Sequence, residues 1–307
     1  MSHQLDKVTQ RDAFWDELYL RAKDNRDIVI ISADMGAPSL DKIRTDLPSQ
    51  FINTGIAEQN SILVASGLAR EGKTVYVYAI ASFLILNCIE KIRVQNSMME
   101  IPINLIGVGG GLSYPDSGPT HHLLEDLSIM RALPHFNIYN CSDSYMAHAL
   151  VNESIESKTP NYFRLERQPN GSLYEKEQFN FKDGYTQFGK TNKSVVFTTG
   201  YMTLKVQSLI KEKNLPIDII DVYKFPYNGD KLINDIKDYE NFYSIEEHFS
   251  PGGLGSSLLE TFNDKNFNKI IKRLDAGIEN YCYSYGGREE LQGFYNLSTS
   301  DIINHLK

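Results

Sequence analysis

Glu58, in the segment 51–72, is a carboxylate at the predicted start of an apolar helix. Its position suits acid–base chemistry. After the turn-forming run 53–55, small or apolar residues recur at helical spacing, namely Ile62, Ala65, Ser66 and Ala69. The helix N-terminus favours the charged carboxylate, whereas removal from water disfavours it. A group under these opposed effects can hold or share a proton near neutral pH, as acid–base catalysis requires. The alternative is a capping glutamate on a solvated first turn.

The elements that position this helix alternate along the first half of the chain. The predicted helices are 11–23, one that begins at residue 58, 83–98, 123–133 and 144–157. The predicted strands are 28–31, 75–80, 103–107, 137–140 and 162–165. A glycine-rich loop, 109–111, follows the third strand and continues into the run SYPDSGPTHH. This alternation predicts a mostly parallel sheet that is covered by helices on both faces.

A second alternating set follows a polar linker at 166–192. Its predicted strands are 195–199, 217–222, 242–245 and 270–274, and its predicted helices are 204–213, one that begins at 253–255, and 300–306. Three glycines, at 252, 253 and 255, indicate tight packing of a helix on a strand. The predicted fold is α/β with two domains, 1–185 and 186–307, each a mostly parallel sheet flanked by helices.

Composition excludes several functional classes. The 307 residues are 41% hydrophobic and 23% charged, which is typical of a soluble globular protein. Lys and Arg total 31 against 39 Asp and Glu, and there is no basic block, so we expect no nucleic-acid partner. The longest apolar run, 75–89, is interrupted and too short to span a membrane. Three isolated cysteines without zinc-site spacing suit reduced thiols in a cytoplasm, where we expect the protein to act.

Four motifs in one order carry a family resemblance. They are GIAEQ at 55–59, FLILNCIEKIR at 83–93, GPTHHLLEDLSIMRALPHF at 118–136 and EEHFSPGGLGSS at 246–257. Together they resemble the C-terminal half of transketolase, and more distantly deoxyxylulose phosphate synthase and the pyruvate dehydrogenase beta subunit. The resemblance implies a thiamine diphosphate enzyme in which 1–185 is the pyrimidine-binding domain and 186–307 is the transketolase-like C-terminal domain.

The resemblance assigns cofactor contacts to three residues. Glu58 matches the family glutamate that bonds a ring nitrogen of the aminopyrimidine, so that the cofactor's exocyclic nitrogen can take the proton from the thiazolium carbon. Phe83 would contribute to the aromatic wall around the pyrimidine, although a core aromatic at a strand end makes the same contact. Leu86 stands where the family commonly has another aromatic residue or a glycine.

Four further residues match family positions near the substrate or cofactor. His121 would face the substrate and bond its hydroxyls or the developing oxyanion, the alternative being a solvated histidine at a helix start. Asp34 resembles an aspartate near the cofactor across a subunit interface, or begins a turn after a strand. Arg11 and Arg167 match arginines that bind a substrate phosphate, and each could equally be a surface arginine. A metal site at His121 and His122 is not expected, because neighbouring helical residues point in different directions.

Two departures from the family pattern concern the substrate. Typical transketolases carry an aspartate where this chain has Ser117, and a histidine where it has Gly109. The first reads a substrate hydroxyl and the second helps to hold phosphate, so the ordinary pentose phosphates are in doubt. Asp116 would replace the missing carboxylate only with an altered direction. The small Gly109 would open space for a bulkier or differently charged acceptor.

A missing motif implies a partner. The family binds the diphosphate and its Mg or Ca ion through a Gly-Asp-Gly segment on an N-terminal domain, and this chain has no Gly-Asp-Gly. The resemblance therefore implies the C-terminal subunit of a split enzyme, which self-associates into a heterotetramer with an N-terminal transketolase-like subunit. The implied reaction moves a two-carbon ketol unit between sugars or sugar phosphates. The alternatives are two-carbon chemistry on a modified or nucleotide-linked sugar, acyl transfer from a 2-oxo acid, and a non-catalytic assembly subunit.

Overall fold

Helices and strands alternate throughout the computed structural model, which describes residues 5–169, 171–174 and 179–307. The strands are β1 (Ile28–Ser32), β2 (Phe51–Asn53), β3 (Thr74–Ile80), β4 (Ile103–Val108), β5 (Asn137–Asn140), β6 (Asn161–Leu165), β7 (Tyr185–Phe188), β8 (Ser194–Thr198), β9 (Ile217–Val222), β10 (Lys224–Phe225), β11 (Asn241–Ile245) and β12 (Ile271–Leu274). Two sheets result, and the predicted fold class is confirmed.

The helices cover the faces of these sheets. They are α1 (Gln10–Asp24), α2 (Pro38–Asp46), α3 (Glu58–Arg70), α4 (Ala81–Leu86), α5 (Ile89–Ile92), α6 (Asp126–Arg131), α7 (Ser144–Glu156), α8 (Tyr201–Lys213), α9 (Gly229–Ile236), α10 (Leu254–Asp264), α11 (Arg288–Phe294) and α12 (Thr299–Leu306), together with a π-helical segment at Arg93–Met98 and short 3₁₀ turns at Leu5–Lys7 and Pro48–Gln50. In the described ranges, no helix is long and apolar enough to cross a membrane.

The first sheet has the strand order β10-β5-β6-β4-β3-β1-β2. All its strand pairs are parallel except β10 with β5. The outermost strand on this side of the first sheet, β10, comes from the second half of the chain. Every residue of β1 and of β4 is buried, which explains the continuous apolar runs in their sequences. The second sheet has the order β12-β11-β8-β9-β7, and only β7 is antiparallel to its neighbour.

Alternate residues of β3 serve two hydrophobic cores. Tyr76 and Tyr78 pack on one face of the first sheet with residues of α1 and α7. Val75 and Val77 pack on the other face with residues of α3. The second of these cores continues into the second half, where it includes Phe242 on β11. The two halves therefore share buried apolar surface.

The structure differs from the predicted elements where local sequence is ambiguous. The helix predicted at 83–98 is broken into α4, α5 and the π-helical segment, and the Gln59 side chain binds the Asn87 carbonyl at 3.0 Å at the break. The predicted linker contains β7, and its residues 170 and 175–178 lie outside the described residues. Helices α2, α9 and α11 and the short strands β2 and β10 were not predicted. The division into domains 1–185 and 186–307 stays a proposal.

The glycine cluster at 252–255 packs tightly, as predicted. The Glu246 carboxylate, at the end of β11, accepts hydrogen bonds from the Leu254 and Gly255 amides at 2.6 and 2.8 Å. A Cβ atom on Gly253 would lie only 2.2 Å from Glu246 Oε2. The glycines thus let a strand-end carboxylate reach the first amides of α10.

Asp221, on β9, is a buried carboxyl group that joins the two halves. It accepts hydrogen bonds from Ser142 (2.8 Å), Tyr174 (2.7 Å) and Thr203 (2.8 Å). Burial raises the pKa of Asp221 to about 7, although these hydrogen bonds oppose the shift. The folded protein therefore keeps a proton that the unfolded chain loses at a lower pH.

We predict that this proton makes folding stability fall as pH rises from 4 through 7, because the unfolded state binds fewer protons in that window. Asp221→Asn removes the titration and keeps the size. Relative to wild type, the variant should gain about 2–4 kcal/mol of unfolding free energy between pH 4 and pH 8. Urea unfolding at several pH values measures this, and the exposed Asp264→Asn is the control. A pH-independent difference between Asp221→Asn and wild type would contradict the prediction.

Candidate active site

The carboxyl ends of the parallel strands in the first sheet meet at one edge, and most of the predicted site residues follow them. Asp34 comes after β1, and Phe83 lies just after β3 in α4. Gly109 comes directly after β4, and Arg167 comes after β6. Glu58, after β2, begins α3 at the same edge. In open α/β sheets this edge is where ligands bind.

Glu58 is a buried carboxylate without a hydrogen-bond partner in the described chain. The residue is only 8% exposed, which disfavours the alternative of a solvated cap. Ala57, the residue before it, provides no side-chain cap for the helix. Burial, together with the Glu58 charge, raises the pKa of the nearby Cys88 thiol to about 12. The Glu58 oxygens are not among the fully buried unpaired atoms, so they reach solvent at this edge and are available to a molecule that binds there.

Phe83 and His121 contact each other although 38 residues separate them. Their ring centroids lie 5.0 Å apart with the planes at 72°. His121 lies in a turn, where its amide binds the Gly118 carbonyl at 3.0 Å, and not at a helix start, since α6 begins at Asp126. Its Nδ1 lies 3.1 Å from the Thr120 hydroxyl. The half-buried imidazole therefore faces the same edge as Phe83.

The space at Gly109 is filled. Gly109 has φ +87°, and a Cβ atom there would lie 2.0 Å from the Tyr114 ring. The expectation that this glycine opens room for a larger acceptor is therefore wrong, because Tyr114 folds back over it. The Arg167 guanidinium lies 4.4 Å from the Tyr114 ring centroid, and the His121 ring lies 5.9 Å from it.

The two predicted phosphate-binding arginines lie at the same end of the sheet. The Arg11 amide, in the first turn of α1, donates to the Glu166 carbonyl at 3.3 Å. The Arg11 side chain forms an ion pair with Asp12 at 3.0 Å. Arg167 is less constrained, because its nearest carboxylate oxygen in the described chain, on the exposed Asp116, is 4.0 Å away. Arg167 can thus reach an incoming anion without losing a close ion pair.

The remaining predicted residues lie at the margin. Ser117 donates a hydrogen bond of 3.3 Å to Asp116, so the carboxylate beside Ser117 points toward Arg167. Asp34 is exposed, has φ +55°, and accepts a hydrogen bond from Asn53 at 3.0 Å. Leu86 is 37% exposed at the end of α4. None of these three contacts the cluster of Phe83 and His121 through a hydrogen bond in the described ranges.

A charge cluster from the second half supports the loop that carries His121. Arg288 donates two hydrogen bonds of 3.0 Å to Glu166 and bonds of 3.0 and 2.6 Å to Glu247. Glu247 in turn accepts from the Leu112 amide at 2.9 Å, and Glu166 accepts from the Ser113 hydroxyl at 2.8 Å. Both carboxylates therefore fix the loop after β4, and we call this group the Arg288 clamp.

The two carboxylates of the Arg288 clamp are buried, the Arg288 side chain is 15% exposed, and all three groups are paired. Burial alone would raise the pKa of Glu247, but the Arg288 charge and the hydrogen bonds from Arg288, the Leu112 amide and Gln292 together outweigh burial and lower that pKa. The guanidinium also stacks on Tyr201 at 3.5 Å from the ring centroid. A cavity of about 740 Å³ lies beside the clamp, lined by Ser113, Tyr201 and Lys205 among others, and none of the predicted site residues lines it within the described chain.

Sequence reasoning missed Tyr114 and the clamp. A tyrosine in a glycine- and proline-rich loop carries no spacing that reveals its partner. Glu247 and Arg288 come from the second half of the chain, in which no site residue was predicted. His122 is buried beside this loop, and burial lowers the pKa of its imidazole. Among the described residues, no group of three or more His, Cys, Asp or Glu side chains could hold a metal ion.

Comparisons with known proteins show which family this chain is similar to. Residues 6–171 match the family described as "Transketolase, pyrimidine binding domain". An apulose-4-phosphate transketolase subunit from Phocaeicola vulgatus is 28% identical over 96% of this chain and 95% of its own. The putative transketolase C-terminal section from Methanocaldococcus jannaschii is 25% identical over 96% and 94%. A solved structure described as a split gene transketolase, inactive beta4 tetramer, has TM-score 0.84 and 24% identity, with 97% of both chains covered.

We predict that the Arg288 clamp stabilises the fold and the loop together. Arg288→Ala leaves two buried carboxylates without a counter-ion and should lower the unfolding free energy by about 3–5 kcal/mol. Arg288→Lys keeps the charge but not the fork that reaches both carboxylates, so its loss should be smaller. Urea unfolding at pH 7 is the measurement. Arg44→Ala, at an exposed helix position, is the control and should change little; equal stability of Arg288→Ala and this control would rule the prediction out.

Proposed function

Because the chain belongs to the transketolase pyrimidine-binding domain family, we propose that it is the C-terminal subunit of a split, thiamine diphosphate-dependent transketolase-like enzyme. Its reaction would transfer a two-carbon ketol unit from a ketose to an aldose. The observation that carries this proposal is the buried Glu58 carboxylate, which has no partner in the described chain and lies at the ligand-binding edge of the first sheet.

The residues at this edge fit one part of the cofactor. A carboxyl group in a dry site can hold a proton against a ring nitrogen, as the aminopyrimidine of thiamine diphosphate requires. The apolar ring of Phe83 is only partly buried and can pack against a planar heterocycle. Leu86 and Asp34 would lie at the outer limit of this contact. When bound, thiamine diphosphate supplies the carbon nucleophile that carries the two-carbon unit.

The chain's own residues would then divide the work. Glu58 would hold the proton shared with the pyrimidine. His121, beside Phe83, would donate hydrogen bonds to substrate hydroxyls or to the oxygen that gains charge. Arg167 and Arg11 would bind a terminal phosphate or similar anion. Ser117 would bind a hydroxyl less strongly than an aspartate would.

A second chain is needed for the diphosphate end. The described residues offer no metal-binding group, and the sequence has no Gly-Asp-Gly, so we assign the diphosphate and its Mg or Ca ion to an N-terminal subunit. Apolar side chains just before and within α3 are exposed, with Ile56 83% and Leu63 42% accessible. Such a surface indicates an interface, and we propose that it serves self-association into a heterotetramer with the partner.

The substrate class is a sugar or sugar phosphate, and the absence of the family's histidine at Gly109 and aspartate at Ser117 disfavours an ordinary pentose phosphate. The similarity to a protein named for apulose-4-phosphate supports this direction. A non-catalytic assembly role is less favoured, because a scaffold gains nothing from a buried, unpaired carboxylate. The three cysteines are buried free thiols, and the cytoplasmic location stays a prediction.

The split-subunit proposal predicts that this chain alone binds thiamine diphosphate weakly, with no dependence on Mg²⁺, and has no activity. Co-expression with its partner should give metal-dependent tight binding and transfer from a ketose to an aldose. Calorimetry of the chain alone and of the complex measures the difference, and light scattering of the same samples reports the assembly. Tight metal-dependent binding by this chain alone would overturn the proposal.

We expect Glu58→Gln to preserve assembly and to reduce turnover by roughly two to four decades, because the amide cannot share a proton with the pyrimidine. Proton–deuterium exchange at the thiazolium carbon, followed by NMR in the complex, reads this step directly. Glu71→Gln, the same carboxyl-to-amide change at an exposed position just after the end of α3, is the control. Exchange at the wild-type rate in Glu58→Gln would assign Glu58 a structural role only.

A further inference from the structure

We infer that Tyr114 is a specificity-determining residue of the proposed sugar site. Its ring limits the length of the sugar that fits, and its hydroxyl donates a hydrogen bond to the sugar's terminal anionic group. The inference rests on the proposed function, since the same edge of the sheet must bind the sugar. It adds a residue to the site that neither the motifs nor the composition point to.

The position of the ring follows from Gly109. A Cβ atom on that residue would lie 2.0 Å from one ring carbon of Tyr114 and 2.5 Å from the next. Non-bonded atoms do not approach this closely, so any other residue at position 109 would displace the ring. The Tyr114 ring therefore occupies the space that a side chain at position 109 would need.

The contacts of Tyr114 place it inside the predicted site. Its ring packs against the Arg167 guanidinium at 4.4 Å and the His121 ring at 5.9 Å. These are the residues expected to bind the two ends of a sugar, its anionic group and its reacting oxygen. A ring that contacts both limits the distance available between them.

The hydroxyl of Tyr114 remains a proton donor. Burial raises its pKa, the charges of Arg167 and Arg11 oppose this shift, and the charges of Glu166 and Asp116 add to it. Glu166 is already paired with Arg288, so Arg167, whose guanidinium packs on the ring, is the cation available to an anion beside the hydroxyl. A neutral donor beside this cation adds a directed hydrogen bond to its non-directional attraction.

The loop holds Tyr114 in place. Leu112, two residues before it, is bound to Glu247, and Ser113 is bound to Glu166, both through the Arg288 clamp. After it, the Ser117 amide donates to the Tyr114 carbonyl at 3.2 Å, which closes a turn. Tyr114 is therefore anchored on both sides although its side chain is only half-buried. An anchored aromatic side chain discriminates by size better than a mobile one.

The role of the hydroxyl is tested by titrating inorganic phosphate into the full chain and following amide shifts by NMR. Wild type should bind phosphate with shifts at Arg167 and Tyr114. Tyr114→Phe keeps the ring and should raise the Kd about tenfold. Tyr19→Phe removes a hydroxyl that binds Asp46 away from the site and should leave the Kd unchanged. An equal Kd for wild type and Tyr114→Phe, or no binding by wild type, would overturn this part.

The role of the ring is tested in the assembled enzyme with hydroxypyruvate as donor and aldoses of three to six carbons. Tyr114→Ala should raise kcat/KM for the six-carbon aldose, relative to the three-carbon aldose, by about tenfold or more. Tyr114→Phe should keep the wild-type ratio. An unchanged ratio in Tyr114→Ala, with thermal unfolding like wild type, would overturn the size limit. Tyr114→Leu serves if the alanine variant does not assemble.

The two experiments separate this inference from the proposed function. If the assembled enzyme transfers a ketol unit from no donor, the proposed function fails, and the phosphate titration still decides whether Tyr114 binds an anion. If transfer occurs and neither Tyr114 variant changes affinity or selectivity, the proposed function stands and the inference about Tyr114 is wrong.

Discussion

The parallel direction of the strands in the first sheet is the constraint on which the rest of the structure depends. Parallel neighbours lie about 4.8 Å apart, so residues that follow them in sequence converge at one edge. This brings Glu58, Phe83 and Arg167 to one region although about 110 residues separate the first from the last. The crossover helices that such strands require also supply the apolar surfaces that bury both faces.

The second half of the chain contributes more than packing. Arg288 and Glu247 belong to it, yet they hold the loop after β4 that carries Tyr114 and His121. A guanidinium between two buried carboxylates contributes little net stability when the pairs are complete, and breaking them leaves the carboxylates unpaired at a large cost. The arrangement therefore specifies one position of the loop. Asp221 connects the halves in the same way, through hydrogen bonds to residues of both.

Two features of the candidate site indicate that another molecule binds there, namely the Glu58 carboxylate and the exposed apolar side chains beside it. Glu58 is buried without a partner in the described ranges, whereas apolar side chains around the start of its helix are exposed. Buried polar groups are normally satisfied, and exposed apolar groups of this size are normally covered. A second chain that brings a cofactor would bind the carboxylate and cover the apolar surface in one step.

The sequence by itself determined the fold class, the long helices and buried strands, and the positions that match a family. Apolar runs such as that of β1 and the helical spacing after Glu58 are local properties that need no knowledge of distant contacts. It could not determine the short strands β2 and β10, because two or three residues carry no period.

Only the tertiary structure decided the site's interior. Whether Glu58 is buried depends on what packs over the first turn of α3, and the sequence left a solvated cap possible. From the sequence we expected open space at Gly109, whereas in the folded chain the Tyr114 ring fills that space. The pairing of Arg288 with Glu166 spans 122 residues and leaves no local pattern. Gly109 and Tyr114 are only five positions apart, but which way the ring turns depends on the fold of the loop, and the charge pairs join residues that are close only after folding.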